Sequence, residues 1–533
     1  MNKTQDVATD CLLLAALSRG QYTRVSHISN LHAFKSRPHV SPISDLSDPA
    51  FSSSSFLCPA WSVAMSAVSS PSLESGPRRP KQAADISAAF SSLSTADQRN
   101  VFPPSFAELK RKIWKDGLLQ SWKEVLEELE VTAARIAERG DAMIPRVTME
   151  SIRNGLSAEE LSSIRTAGCV VVKGVLPKEE VLTWKQDIRD YVAAHPGLVK
   201  GFPKDNVQVF ELYNTVSQIR ARTHPNVLET HRALLTLWHD RSGEVSLDTP
   251  ISYFDRLRIR IPGDSKFALG PHVDGGSVER WEDPEYHSCF TKILEGGSAW
   301  KEYDAYDAAP RAHAKQDLHE APSQCSIFRP WQGWTAMSST GPGEGTLRVF
   351  PALSIATAYW MLRPFFKPRD PLSASLKWED WSELNLDDPG FPGTGLGAGQ
   401  EFTDATHPHL RLAQTMVSMP RVEPGDQVYW HCDGIHAVEG YHGGKGDASV
   451  MYIPAVPLTL QNAQYLRDQR NNFLAGLPAP DFPGGPGEST FVGRATAKDV
   501  YPGGLAAMGL EKFGVEGDES KLFAEANQIL AVA

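Results

Sequence analysis

The sequence predicts an α+β protein, mainly β with added helices: an antiparallel barrel or jelly roll preceded by a helical region. Three observations carry this. The strand-like segments are short and separated by long insertions. There is no βαβ rhythm, which a doubly wound sheet would require. The long amphipathic pattern sits early, before the first strand-like segments, at residues 105–139.

In that stretch Leu109, Ile113, Leu118, Leu119, Trp122, Val125 and Leu126 recur at helical spacing with charges between them. The spacing predicts one or two amphipathic helices, capped by Gly140. Val170 to Val172 form a β-branched run ended by Gly174, and Pro177 then opens a helix of about four turns with acids in its first turn. Residues 250–263 (PISYFDRLRIRIPG) alternate. Leu257, Ile259 and Ile261 point one way along a strand, and Arg256, Arg258 and Arg260 the other. Residues 282–325 are polar and loop-like, and 365–410 are rich in Gly, Pro and Asp; both read as insertions. QCSIFRPW and GTLRVFPAL are strand-like. EPGDQVYWHCDGIHAVEG and ASVMYIPAVPL read as two strands joined by a turn. There are no internal repeats.

The 533 residues exceed one minimal domain but suit one enlarged domain over 101–533 behind an N-terminal extension, 1–100. Residues 40–100 are rich in Ser, Pro and Ala and read as disordered or loosely attached. Residues 1–75 carry Arg and Ser with few acids, a composition shared by mitochondrial leaders, although Asp6 and Asp10 count against one. The net charge of −11 excludes a general nucleic-acid binder. The longest early apolar run, CLLLAALS, is too short to span a membrane. Six scattered cysteines (11, 58, 169, 289, 325 and 432) make no CxxC pair, so the chain reads as reduced and cytoplasmic, with a mitochondrial location the other option.

The chemistry centres on LGPHVDGGSVERW. His272 and Asp274, two apart on a strand, face one side and can reach one ion. An imidazole, a carboxylate and one further histidine make a facial triad suited to Fe(II), with open positions for a cosubstrate and O2. HCDGIH, far downstream, offers His431 and His436. His431 lies within the first strand and reads as a packing residue, so His436 is the expected third ligand. His287, His407, His409 and His442 sit in polar context and are expected at the surface.

Several ordered segments resemble one family. GCVVVKGVLPKEEV, QVFELYNTVSQIRARTHPNV, LRIRIPGDSKFALGPHVDGGSVERW, FRPWQGWTAMSSTGPGEGTLRVFPAL and GDQVYWHCDGIHAVEG followed by SVMYIPAVP cover roughly residues 105–470. Together they resemble the Fe(II)/2-oxoglutarate-dependent oxygenases, most closely the YbiU-like group, which is related to the phytanoyl-CoA hydroxylase type. The resemblance implies a double-stranded β-helix, or cupin-like, core with Fe(II) on His272, Asp274 and His436. It implies 2-oxoglutarate as cosubstrate and a small-molecule substrate to be hydroxylated or oxidised.

The cosubstrate site departs from that pattern. Many relatives place an arginine about ten residues after the distal histidine to clamp the keto acid. Here the region reads GYHGGKGDASVMYIP and holds none. Arg260, Arg258 and Arg348 are the candidates to replace it, with Ser449 as a supporting hydrogen-bond donor. Trp281, Trp331, Trp334, Tyr429 and Trp430 either line a pocket or fill the β core. The missing arginine keeps two other readings open: a metal- or ligand-binding cupin-like protein, and a non-oxidative metalloenzyme. The arginines favour an acidic substrate, and the insertions would serve as lids or as contacts in a homo-oligomer.

Overall fold

The structure is a computed structural model. It describes residues 81, 82, 87, 90 and 102–532, apart from 483, 516 and 518. The expected targeting segment, 1–75, lies outside the described residues, as does nearly all of the extension 1–100. Lys81 and Phe90 are the instructive exceptions within the stretch read as loosely attached. Lys81 pairs with Asp317 at 2.5 Å and Asp481 at 3.3 Å, and Phe90 is buried.

Two separate ladders carry most of the β structure, and they do not close into one barrel. The larger has eight strands, in the order Arg146–Thr148, Cys169–Lys173, Gln427–His431, Trp331–Ala336, Ala448–Tyr452, Leu257–Arg260, Val209–Phe210 and Gly201–Phe202. Its pairing is antiparallel except at the Arg146–Thr148 edge. The smaller has five strands, all antiparallel: Gln400–Glu401, His272–Val273, His436–Val438, Leu347–Val349 and Val417–Ser418. The class is thus α+β with large antiparallel sheets. CVVVK and QVYWH run without alternation because both faces of these strands are covered.

The two helical stretches expected from the sequence are present, and one helix lies where a strand was expected. Residues 105–139 form two helices, Ser105–Ile113 and Leu118–Arg139, and Gly140 ends the second at φ +51°. Lys178–Ala194 follows the Cys169–Lys173 strand as expected. The unexpected helix is Leu353–Leu362, where GTLRVFPAL reads as strand into its first residue. Its nine buried residues face every direction, so the segment carries no helical stripe. It packs against Leu118–Arg139, whose Trp122 stacks on Tyr359 at 5.5 Å and donates its indole N–H to the Trp381 carbonyl.

Three other expectations need correction. The strand over 250–263 is broken into Ser246–Ile251 and Leu257–Arg260. Between them the Ser252 amide donates to the Ala507 carbonyl and the Phe254 amide to Gln469, so the ladder is interrupted by distant partners. The segment 282–325 is more than a polar loop: Tyr286, Ile293 and Leu294 are buried within short helices, and Phe290 is buried between them. Finally, His407, His409 and His442 are buried and His287 is half-buried, not surface residues.

Candidate metal centre

The two ladders approach each other around a cavity, and the chemistry-bearing motifs open into it. His272 lies on the second strand of the small ladder, with His436 directly opposite on the third. Their rings are 4.0 Å apart between centroids. Asp274 follows where the strand ends. Gly275 and Gly276 then turn the chain at φ +74° and +92°. A Cβ on Gly276 would stand 2.6 Å from the Gln316 carbonyl oxygen, which explains the double glycine after the motif.

Both histidines are oriented from behind. His272 Nδ1 lies 2.7 Å from the Gly270 carbonyl, and His436 Nδ1 lies 3.0 Å from that of Gly434. Those carbonyls only accept, so each Nδ1 carries a proton and each ring turns its Nε2 forward. The two Nε2 atoms face Asp274 carboxylate oxygens at 3.4 and 3.7 Å. Ligand atoms of all three residues lie within 4.8 Å of one another. Burial, with His272 alongside, pushes the pKa of His436 down to about 3. Burial alone would raise that of the Asp274 carboxyl, but His272, His436 and Arg329 hold it well below the usual carboxylate range. Two imidazole Nε2 atoms and an ionised carboxylate converge on one point. The donor set therefore fits a divalent ion of the type bound by two histidines and a carboxylate.

His431 is elsewhere. Fully buried, it stacks on Trp238 at 4.6 Å, donates from Nε2 to the Ala305 carbonyl and accepts the Asp433 amide on Nδ1. With Cys432 and Asp433 it forms a second cluster of ligand-type atoms. Its members are already committed: burial pushes the Cys432 thiol up to about 12, and Asp433 pairs with Arg311 at 2.5 Å.

The expected cosubstrate residues divide sharply. Arg260 is fully buried and spent: it pairs with Asp264 at 2.8 Å and donates to the carbonyls of Glu439, Asp264 and Gly440. Arg348 gives two hydrogen bonds to the Met416 carbonyl, and Ser449 donates to Asp447; neither lines the cavity. Arg258 does line it. This side chain is 4 % exposed and, among the described residues, donates to the Gly345 carbonyl at 3.4 Å and leaves Nε without a partner.

Arg329, Gln332 and Phe90 also line the cavity or its edge and carried no role in the sequence reading. Arg329 stands 3.5 Å from both Asp274 and Asp255, and donates to Gln332 at 3.1 Å. Phe90 meets the His272 ring edge-on at 4.6 Å. Trp334 and Trp430 line the cavity; Trp281, Trp331 and Tyr429 are core. The inward alternation of Gln332 and Trp334 in FRPWQGW is the signal that would have exposed this wall.

Comparison with known proteins places the chain. YbiU of Escherichia coli K12 is 32% identical over 402 residues, covering 71% of this chain and 90% of that protein. The crystal structure of GlcNAc Inducible Gene 2, GIG2, from Candida albicans superposes with a TM-score of 0.73 at 33% identity, covering 81% of this chain and 96% of the other. A Salmonella typhimurium LT2 protein named as a proposed oxidoreductase gives a TM-score of 0.64 at 29% identity, covering 76% and 96%. The sequence profile of the Gig2-like family matches residues 100–510, and the chain belongs to that family.

Proposed function

We propose that this protein is an Fe(II)/2-oxoglutarate-dependent dioxygenase that hydroxylates or oxidises a small molecule, its two facing ladders being the halves of a double-stranded β-helix. The observation that carries the reading is the convergence of His272 Nε2, His436 Nε2 and the Asp274 carboxylate beside a cavity that also holds an under-satisfied arginine, Arg258. His272, Asp274 and His436 would hold Fe(II). When bound, Fe(II) with 2-oxoglutarate supplies oxidation of an unreactive C–H bond by O2, coupled to conversion of the keto acid to succinate and CO2.

The chain's own residues do the positioning. The Gly270 and Gly434 carbonyls fix both imidazole tautomers. Arg258 offers a planar fork to the far carboxylate of the keto acid, replacing the arginine missing after His436. Phe90, Phe267, Leu269 and Val438 line the cavity with apolar surface that excludes water.

The test is anaerobic Fe(II) loading followed by 2-oxoglutarate titration, reading the visible metal-to-ligand absorption band. A band in the wild type that is lost in His272→Ala and in His436→Ala supports the reading. Iron binding without any band overturns it, in favour of a metal protein that does not use 2-oxoglutarate.

A further inference from the structure

The cavity wall contains a second set of hydrogen-bond donors, separate from Arg258. Gln332 Nε2 and Trp430 Nε1 are buried, at 4 and 5 % residue exposure, and neither has a partner among the described residues. The Gln332 amide is not free to turn around, because its oxygen accepts Arg329 at 3.1 Å. Gln332 and Trp430 are direct cross-strand neighbours in the large ladder, so their side chains stand about 5 Å apart at Cβ. The set borders the metal centre: the Trp430 ring is 5.0 Å from that of His436, and Arg329 reaches Asp274. Buried donors without acceptors are costly, so this cluster calls for an acceptor-rich ligand.

That ligand is not the carboxylate on Arg258. The ladder places Arg258 opposite Val450, and Val450 opposite Ala336. Gln332 lies four residues before Ala336 on the same strand. Strand geometry therefore sets the Cα atoms of Arg258 and Gln332 about 13 Å apart along the strands and about 10 Å across them. Charge points the same way. The lining carries three guanidinium groups, Arg256, Arg258 and Arg329, against the carboxylates of Asp255 and Asp274. A divalent ion raises this balance and a keto-dicarboxylate lowers it, leaving one positive charge in excess. The flank is aromatic, with Arg329 lying over Tyr253 at 5.0 Å and Arg256 over Phe482 at 4.6 Å.

We propose that Arg329, Gln332 and Trp430 form an anion subsite that holds the carboxylate of a small substrate with one negative charge and an apolar body. The charge balance rests on the oxygenase reading; the unpartnered donors do not. The experiment uses the full chain loaded with Mn(II), with and without saturating 2-oxoglutarate, and benzoate and its neutral isostere benzamide as probes in calorimetric titration. Benzoate should bind at least tenfold more tightly than benzamide. Gln332→Met and Trp430→Phe should each weaken benzoate about tenfold or more while leaving benzamide unchanged. Trp430→Phe keeps an aromatic ring and removes the indole N–H, and the benzamide titration reads out the packing it loses, so it keeps the test valid if Gln332→Met folds poorly. Equal affinity for the two probes, or benzoate binding lost in Arg258→Met but kept in both subsite variants, overturns the proposal. So does benzoate that follows the metal alone. If 2-oxoglutarate fails to bind but benzoate still depends on Gln332 and Trp430, the oxygenase reading falls and the subsite stands.

Discussion

Arg258 and Arg260 alternate on one strand and share one face, yet they should behave oppositely when replaced by methionine. Arg260 is held by Asp264 at 2.8 Å and by carbonyls at 2.7 to 3.3 Å. Removing it strands the Asp264 charge in the interior, which costs about 3–5 kcal/mol. Arg258 has one long hydrogen bond and a bare Nε, and burial pulls its pKa below the usual arginine value. Methionine there replaces a poorly paired buried charge with an apolar chain of similar length, so stability should hold or rise. The cosubstrate should feel the opposite. Two charge-assisted hydrogen bonds to a carboxylate, at about 1.5–3 kcal/mol each, give about 3–6 kcal/mol, or two to four powers of ten in affinity. Urea unfolding of the metal-free proteins and 2-oxoglutarate titration of the Fe(II) proteins read the two effects. An Arg258→Met protein that binds 2-oxoglutarate as the wild type does would refute the assignment. A loss of stability matching that of Arg260→Met would refute the account of its burial.

Two further outcomes follow from buried histidines. Burial pushes the pKa of His231 down to about 3, against about 6.5 in an unfolded chain. Between those values the unfolded chain takes up a proton that the folded chain refuses, so stability is complete above pH 7 and falls as pH drops. His231 Nε2 has no partner among the described residues, so His231→Phe should fold and should flatten the pH dependence by about 1.4 kcal/mol per unit between pH 6 and 4; urea midpoints that change equally with pH in both proteins would exclude this. His431→Ala should cost about 3 kcal/mol by emptying its stack on Trp238, yet leave Mn(II) affinity within a few-fold. Calorimetry showing metal binding lost in this variant but kept in His436→Ala would reverse the choice of ligand.

The convergence of His272 and Asp274 was legible because its geometry is local. Two residues apart on a strand means one face, and a double glycine means a sharp exit; both can be read from HVDGG. The choice between Arg258 and Arg260 was not, since their sequence contexts are alike. What separates them is Asp264 together with the carbonyls of Glu439 and Gly440, brought in from about 180 residues away. The same holds for His407 and His409. Their segment, THPHL, is polar, and their burial comes from rings on other elements: Phe402 and Tyr359 around His407, Trp122 and Trp381 around His409. The helix Leu353–Leu362 was hidden for a different reason, being apolar on every side. Lys81 and Phe90 were hidden by their Ser-rich neighbours, although one ring and one ammonium suffice to fasten a segment to the body.

The two halves of the candidate metal centre are 162 residues apart in sequence, counting from Asp274 to His436, and a buried arginine joins them. Arg280 is fully buried; it donates to the Gly276 carbonyl at 2.6 Å and to the Asp274 carbonyl at 2.8 Å, so it grips the turn that aims the carboxylate. The nitrogen that holds the Asp274 carbonyl, Nη2, also stands 3.7 Å from Asp433, in the turn that delivers His436, and Arg311 holds Asp433 from the opposite direction. The fork lets Nη1 and Nη2 hold two carbonyls of the first turn while the charge faces Asp433 of the second; a lysine supplies the charge without the planar spread of donors. Arg280→Lys should therefore keep the fold, because Asp433 retains Arg311, yet weaken Mn(II) about 10- to 100-fold, as loss of the groups that orient metal ligands does. Asp433→Asn should weaken it by less, since the grip on the Asp274 and Gly276 carbonyls survives. A folded Arg280→Lys protein with wild-type Mn(II) affinity would mean that each turn holds its own ligand and that Arg280 only fills space between Tyr286 and Trp360, whose rings it meets at 5.2 Å.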